Sequence, residues 1–285
     1  MRNLLSIALC LPLAACVIGD ENSGGNDPGG SGGGGSNTPP VDDGSITGLI
    51  GQDTSWSGTV LIGFSGSTTR IQPGVTVTVE PGTVIKFKQG AGLDIQGTLR
   101  VAGTSAGKVQ IEPAAGNSYA FILGGAPSAG KLELAYAVMK GGNIQTSAGS
   151  SVAITDSKMW DAPGDLLIMN GGTVNMTYSQ IGPDPGTTSA THCNVHTNGN
   201  ANTISITRSN INGAPYGFML YGGQNAILTN NNWYDNSSDI DTQPSVSADI
   251  SGGWFDGARP VAGSGATLTA NNISATKLTD AGVRP

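Results

Sequence analysis

The sequence predicts an all-β protein folded as a parallel β-solenoid of about ten coils. Three observations carry that expectation. The first is the stretch from Ile71 to Phe87. There Val75, Val77 and Val79 alternate with Thr76 and Thr78 between the turn signals Pro73-Gly74 and Pro81-Gly82. A period of two, with one apolar and one hydroxylated face, marks a half-buried strand. The second is a repeat read as apolar, any, apolar, two polar, small polar, any, apolar. It returns at Leu132, Val152, Val174, Ile204, Ala226 and Ala248, with successive offsets of 20, 22, 30, 22 and 22 residues. The third is composition. The 285 residues include 45 glycines and only 12 % charged side chains, and Thr, Ser, Asn, Val and Ile dominate where helix formers are scarce, which favours short strands and tight turns.

Residues 1–16 read as an export signal rather than as part of the fold. Arg2 supplies a small positive region and Leu4 to Leu13 an apolar run, too short to span a membrane. Leu13-Ala14-Ala15-Cys16 resembles the bacterial lipobox, which implies cleavage before Cys16 and lipidation of that cysteine. An ordinary secretory signal cleaved after Ala15 is the alternative, and both readings export the chain. More than one acyl chain is needed for lasting membrane attachment. Val17 after the cysteine fits the outer-membrane sorting rule of enteric bacteria. The expected address is therefore the outer membrane or surface of a Gram-negative cell. Cys10 leaves with the signal and Cys16 is acylated, so Cys193 is the one thiol left and no internal disulfide forms.

Residues 17–44, with runs such as Ser23-Gly24-Gly25 and four consecutive glycines, form a disordered tether. Such a coil has a mean span of roughly 30 Å. Residues 45–285 are the folded domain, long enough for one large core. The formal charge of −7 becomes −8 once Arg2 is removed, and the sequence pI is about 4.6 with no basic stripe. Nucleic acid is therefore not an expected partner. No apolar run of spanning length follows Cys16.

Within the domain, Ile46 to Arg70, with Trp56, Leu61, Ile62 and Phe64, is expected to cap one end of the stack, and Gly257 to Pro285 the other. Between them the repeat columns acquire physical meaning. Strands one turn apart lie about 4.8 Å from each other, so like residues stack on like. The first, third and eighth positions fill the core. The sixth (Ser157, Ser179, Ser209, Asn231) sits at a corner, where a small polar side chain satisfies backbone groups leaving the ladder. The fourth (Thr155, Thr177, Thr207, Thr229) lies on an exposed strand face. The offset of 30 places an insertion of eight residues, 30 against 22, between Ile181 and Ile204.

Two stretches are more specific. Val75 to Phe87 resembles the lead-in of β-helices on bacterial surface proteins. Asn230-Asn231-Asn232-Trp233-Tyr234 followed by Asp239-Ile240 resembles an Asn-Asn-Trp-Trp-Gly element near their ends, departing from it at Tyr234-Asp235. The chain thus resembles the right-handed parallel β-helix of the pectin-lyase-like superfamily from about Ile46 onward. In those proteins both elements are structural, and many members process polysaccharides with clustered carboxylates.

Candidate chemistry falls in three places. The fifth repeat position runs Tyr136, Asp156, Tyr178, Arg208 and Asn230, with Lys158 close by and Asp161 and Asp165 in the next loop. Asp156, Tyr178 and Arg208 would line a sugar-binding groove, and Asp156, Lys158 and Arg208 are the acid/base candidates; solvated corner residues are the bland alternative. The insertion carries His192-Cys193-Asn194-Val195-His196. His192, Cys193 and His196 offer ligands for Zn²⁺ or copper, with no fourth ligand evident. Asp235, Asp239 and Asp241 would suit Ca²⁺. An ice-binding face is excluded by the irregular second position, which reads Glu133, Ala153, Asn175, Ser205, Ile227 and Asp249. The sequence therefore leads to a lipid-anchored, non-catalytic envelope protein in adhesion, envelope organisation or glycan binding. A surface-displayed polysaccharide lyase or glycoside hydrolase is the second reading, and a metal-responsive envelope protein the third.

Overall fold

Three parallel sheets wind into a right-handed β-solenoid of about nine turns. This computed structural model describes residues 44–285 apart from 64–67, 116–118, 185–191, 200–201 and 224. The signal, Cys16, the tether and Phe64 lie outside the described residues. Each turn contributes one strand to each sheet in a fixed order. Sheet one holds nine strands from Leu49–Ile50 to Ser238–Thr242, sheet two ten from Thr54–Trp56 to Thr267–Thr269, and sheet three nine from Thr59–Ile62 to Trp254–Phe255. Every pairing between these strands is parallel, and among the described residues there is no helix.

The repeat columns are the register of the sheets. Leu132 pairs with Val152, Val152 with Val174, and Val174 with Ile204. The eighth position stacks as Met159, Ile181, Ile211, Trp233 and Phe255. These side chains are buried with Leu99, Leu134, Ile154, Met176 and Ile206 in one continuous core; each such burial contributes about 1.5–3 kcal/mol. In the early turns the core is aromatic. The Phe87 and Tyr119 rings stack at 4.2 Å, Phe121 meets Phe87 edge-on, and the Tyr119 hydroxyl donates to Ile111 O at 3.0 Å.

The sixth position forms the expected corner ladder. Ser157 Oγ accepts from Ala137 N and donates to Thr155 O, Ser179 Oγ accepts from Ser157 N, and Ser209 Oγ accepts from Ser179 N. Asn231 ends the run, accepting from Ser209 N at 2.9 Å and donating to Ile206 O at 2.8 Å. All four side chains are buried. The ladder satisfies backbone groups that the turn from sheet two to sheet three would leave without partners.

Three features differ from expectation. The fifth position is a left-handed corner, with φ of 47° at Tyr136, 49° at Asp156, 48° at Tyr178, 49° at Arg208 and 57° at Asn230. One left-handed residue turns the chain sharply, and bulky side chains accept its steric cost because the ladder fixes both neighbours. The winding also starts earlier than Ile71. Leu49 pairs with Arg70, Thr54 with Val77 and Thr59 with Val84, so Ile46 to Arg70 is a coil in its own right, closed by the bridge between Ile46 and Ile62. Finally, the C-terminal stretch does more than cover an end. Thr267–Thr269 adds a last strand beside Ser247–Asp249, and the chain then runs back along the outside of the stack.

Candidate functional site

Two polar constellations stand on the outside of the solenoid. The first is the left-handed corner, followed by residues 274–285 as a strap that steps from turn to turn. Ser274 N donates to Gly253 O, and Leu278 exchanges two hydrogen bonds with the Asn232 side chain. Lys277 Nζ lies 3.5 Å from the Tyr234 ring centroid. Asp280 meets Arg208 at 2.6 Å, and Gly282 N donates to Arg208 O. Arg284 ends the run. Its guanidinium donates to both oxygens of Asp156 at 2.8 and 2.7 Å and covers the Tyr178 ring at 4.0 Å.

Asp156, Tyr178 and Arg208 therefore do come together in a column, and the chain's own terminus lies over it. The column is not the open groove expected of it: Asp156 is only 2 % exposed. Lys158 points elsewhere, to Asp184 at 2.7 Å. Asp161 faces Lys140 at 3.8 Å. Contacts joining residues 128 positions apart have no periodic trace in a sequence, so the strap was not legible there.

The second constellation lies where sheet three hands over to sheet one. Asp165 precedes the strand Leu167–Asn170, and His192, Cys193 and His196 stand at and within the next strand of that sheet, Cys193–Asn198. The strands pair with Leu167 opposite Val195 and Ile168 opposite His196, which carries Asp165 alongside Cys193. One carboxylate then gathers three side chains. His192 Nδ1 lies 2.6 Å and Cys193 Sγ 3.1 Å from Asp165 Oδ1, and His196 Nδ1 lies 2.7 Å from Oδ2. One ligand atom from each of the four residues falls within 4.8 Å of all the others. Asp165 was legible as an acidic loop residue. Its meeting with the histidines was hidden by the insertion, which breaks the offset of 20–22 residues between neighbouring turns.

The electrostatics follow from that geometry. Burial alone would raise the Asp165 carboxyl. The hydrogen bonds from His196, Cys193 and His192 outweigh it and hold the group at about 2. Burial, and then the hydrogen bond to Asp165, push the Cys193 thiol well up, so the thiol stays protonated. An ionised carboxylate only accepts, so both Nδ1 atoms carry the proton. His196 Nε2 is buried and has no hydrogen-bond partner among the described residues. The His196 ring packs edge-to-face with Tyr221 at 5.3 Å, and the Tyr221 hydroxyl donates to Asp241 at 2.6 Å.

Among the described residues Asp235, Asp239 and Asp241 do not gather into one ligand set. Asp235 N donates to Asp256, Asp239 accepts from Asn236, and Asp241 accepts from Tyr221. Asp239, Asp241 and Asp256 border one shallow cleft, and Asp235 is not among its lining residues. Burial, with Asp256 adding to it and the Asn236 hydrogen bond opposing, pushes Asp239 up to about 6. A scan against protein-family models, a search of curated proteins and a search of solved structures each returned no match to the chain.

Proposed function

We propose that the protein is a lipid-anchored β-helix of the cell envelope, related to the pectin-lyase-like superfamily, that works by display and binding and does not turn over a substrate. In this reading Cys16 holds it at the outer membrane, the Gly-rich tether lifts it clear, and the solenoid serves adhesion, envelope organisation or glycan capture. The observation that carries the non-catalytic half is the strap. The acid/base candidates of the column are committed pair by pair, Asp156 to Arg284 and Arg208 to Asp280, where an acting glycosidase or lyase needs them free beside its substrate. Lys158 is likewise paired with Asp184.

Two measurements test the two halves. Metabolic labelling with a radioactive fatty acid is expected to mark the wild-type protein, and Cys16→Ala to lose both the label and membrane fractionation; unlabelled wild type removes the anchor. The purified mature protein, incubated with bacterial and plant polysaccharides with and without Ca²⁺, is expected to release no new reducing ends and no unsaturated-sugar absorbance. Turnover that disappears in Asp156→Asn or Arg208→Ala would make the protein a lyase or hydrolase.

A further inference from the structure

We propose that Asp165, His192, Cys193 and His196 form a binding site for a borderline-soft divalent cation, and that Zn²⁺ is the ion it fits best. The site goes beyond the display reading and stands independently of it. Its donor set is two imidazoles, one thiol and one carboxylate, drawn from neighbouring turns of one sheet and lying within 4.8 Å of one another. Four donors of this mixture match tetrahedral Zn²⁺, whose bonds of about 2.0–2.3 Å set ligand atoms roughly 3.3–3.8 Å apart. The three donors now sit 2.6, 2.7 and 3.1 Å from the carboxylate. Admitting the cation needs these donors to move away from the carboxylate by about 1 Å or less, and any pair at the 4.8 Å limit to close by about 1 Å.

Charge and access agree with the donor set. Binding releases the thiol proton, and thiolate plus carboxylate balance the two charges of the cation while both imidazoles stay neutral. Ca²⁺ and Mg²⁺ are disfavoured, because they want six or more oxygen ligands and the cluster offers one carboxylate. The side chains of Asp165 and His196 are 15 % and 16 % exposed, the first just before a strand and the second within its paired neighbour, while His192 is 48 % exposed and forms the entrance.

The same atoms do not make a thiol nucleophile. A catalytic cysteine needs a base bonded to its sulfur and a third group orienting that base. Here the carboxylate stands in the middle, and both imidazoles address it rather than the sulfur.

The test uses the full chain, reduced and metal-free, titrated with Co²⁺ as a spectroscopic probe and then with Zn²⁺ in competition with a chromophoric chelator. We expect one equivalent bound, strong visible bands of tetrahedral cobalt, a sulfur-to-cobalt charge-transfer band, displacement by Zn²⁺ and indifference to excess Ca²⁺. Cys193→Ser should abolish the charge-transfer band. His192→Ala, at the exposed entrance and so least able to disturb folding, should weaken Zn²⁺ by more than the roughly 10–100-fold that changes outside the coordination shell produce. Far-ultraviolet circular dichroism checks that each variant keeps its β-structure. Wild-type protein that takes up neither ion, or binding that survives both substitutions in folded protein, would overturn the site.

Discussion

The corners on either side of sheet three are built on opposite terms. Where sheet two turns into sheet three, the chain spends one left-handed residue per turn from Tyr136 to Asn230, and the buried Ser157, Ser179, Ser209 and Asn231 side chains bond the turns together. Where sheet three turns into sheet one, the strands are separated by 161–166, 182–192, 213–215 and 235–237, segments of six, eleven, three and three residues. The first corner is fixed by hydrogen bonds that only one length can make. The second can change length without disturbing the ladder, and there one carboxylate collects a thiol and two imidazoles. The difference separates charges that close a structure, each with a single partner from the strap, from donors that converge as a ligand set does.

The sharpest way to break the comparison is to truncate the ladder. Asn231→Ala leaves Ser209 N–H and Ile206 C=O without their partners inside the stack, and is expected to cost about 2–4 kcal/mol in denaturant unfolding. His192→Ala, at the variable corner, should cost less than about 1 kcal/mol. Equal costs would mean that the two corners are not different in kind.

A smaller effect is expected from removing residues 277–285. The solenoid should persist, with its thermal midpoint lowered by at least about 2–4 °C, the shift that 1 kcal/mol produces in a domain of this size. The cause is that Asp156, 2 % exposed with the strap in place, loses its charge partner. An unchanged midpoint would reduce the strap to a surface ornament.

The effect that vanishes altogether in acid concerns Asp239, in the strand that follows the variable corner. Its folded-state value of about 6 lies above the unfolded one near 4. The protonated form therefore favours the fold, and this contribution is present below about pH 4 and lost as pH rises through about 6. Asp239→Asn should raise stability at pH 7 by up to about 2–3 kcal/mol and leave it nearly unchanged at pH 4. A gain of equal size at both pH values would show that burial of the charge is not the reason.

What the sequence made legible was whatever repeats. Val152, Val174 and Ile204 announce their own register, and the small polar sixth column announces its corner. The left-handed fifth column stayed hidden, because Tyr and Arg are poor formers of that conformation and nothing in their chemistry signals it. Arg284 finding Asp156 is an event between two distant single residues. Asp165 joining His196 required the pairing of Leu167 with Val195, a spacing of 28 residues where the turns on either side in the same sheet are 23 apart. Periodic signals survive in one dimension, and single long-range meetings do not.

The strap also changes how such a stack comes apart. A solenoid whose turns touch only their neighbours frays from its ends, one layer at a time. Here the last residues grip a layer 128 positions upstream. The terminal layers cannot peel away while that grip holds, and a pull on the C-terminus loads the Arg284–Asp156 pair before any sheet. The molecule is latched along its side, so its final turns should unzip together or not at all.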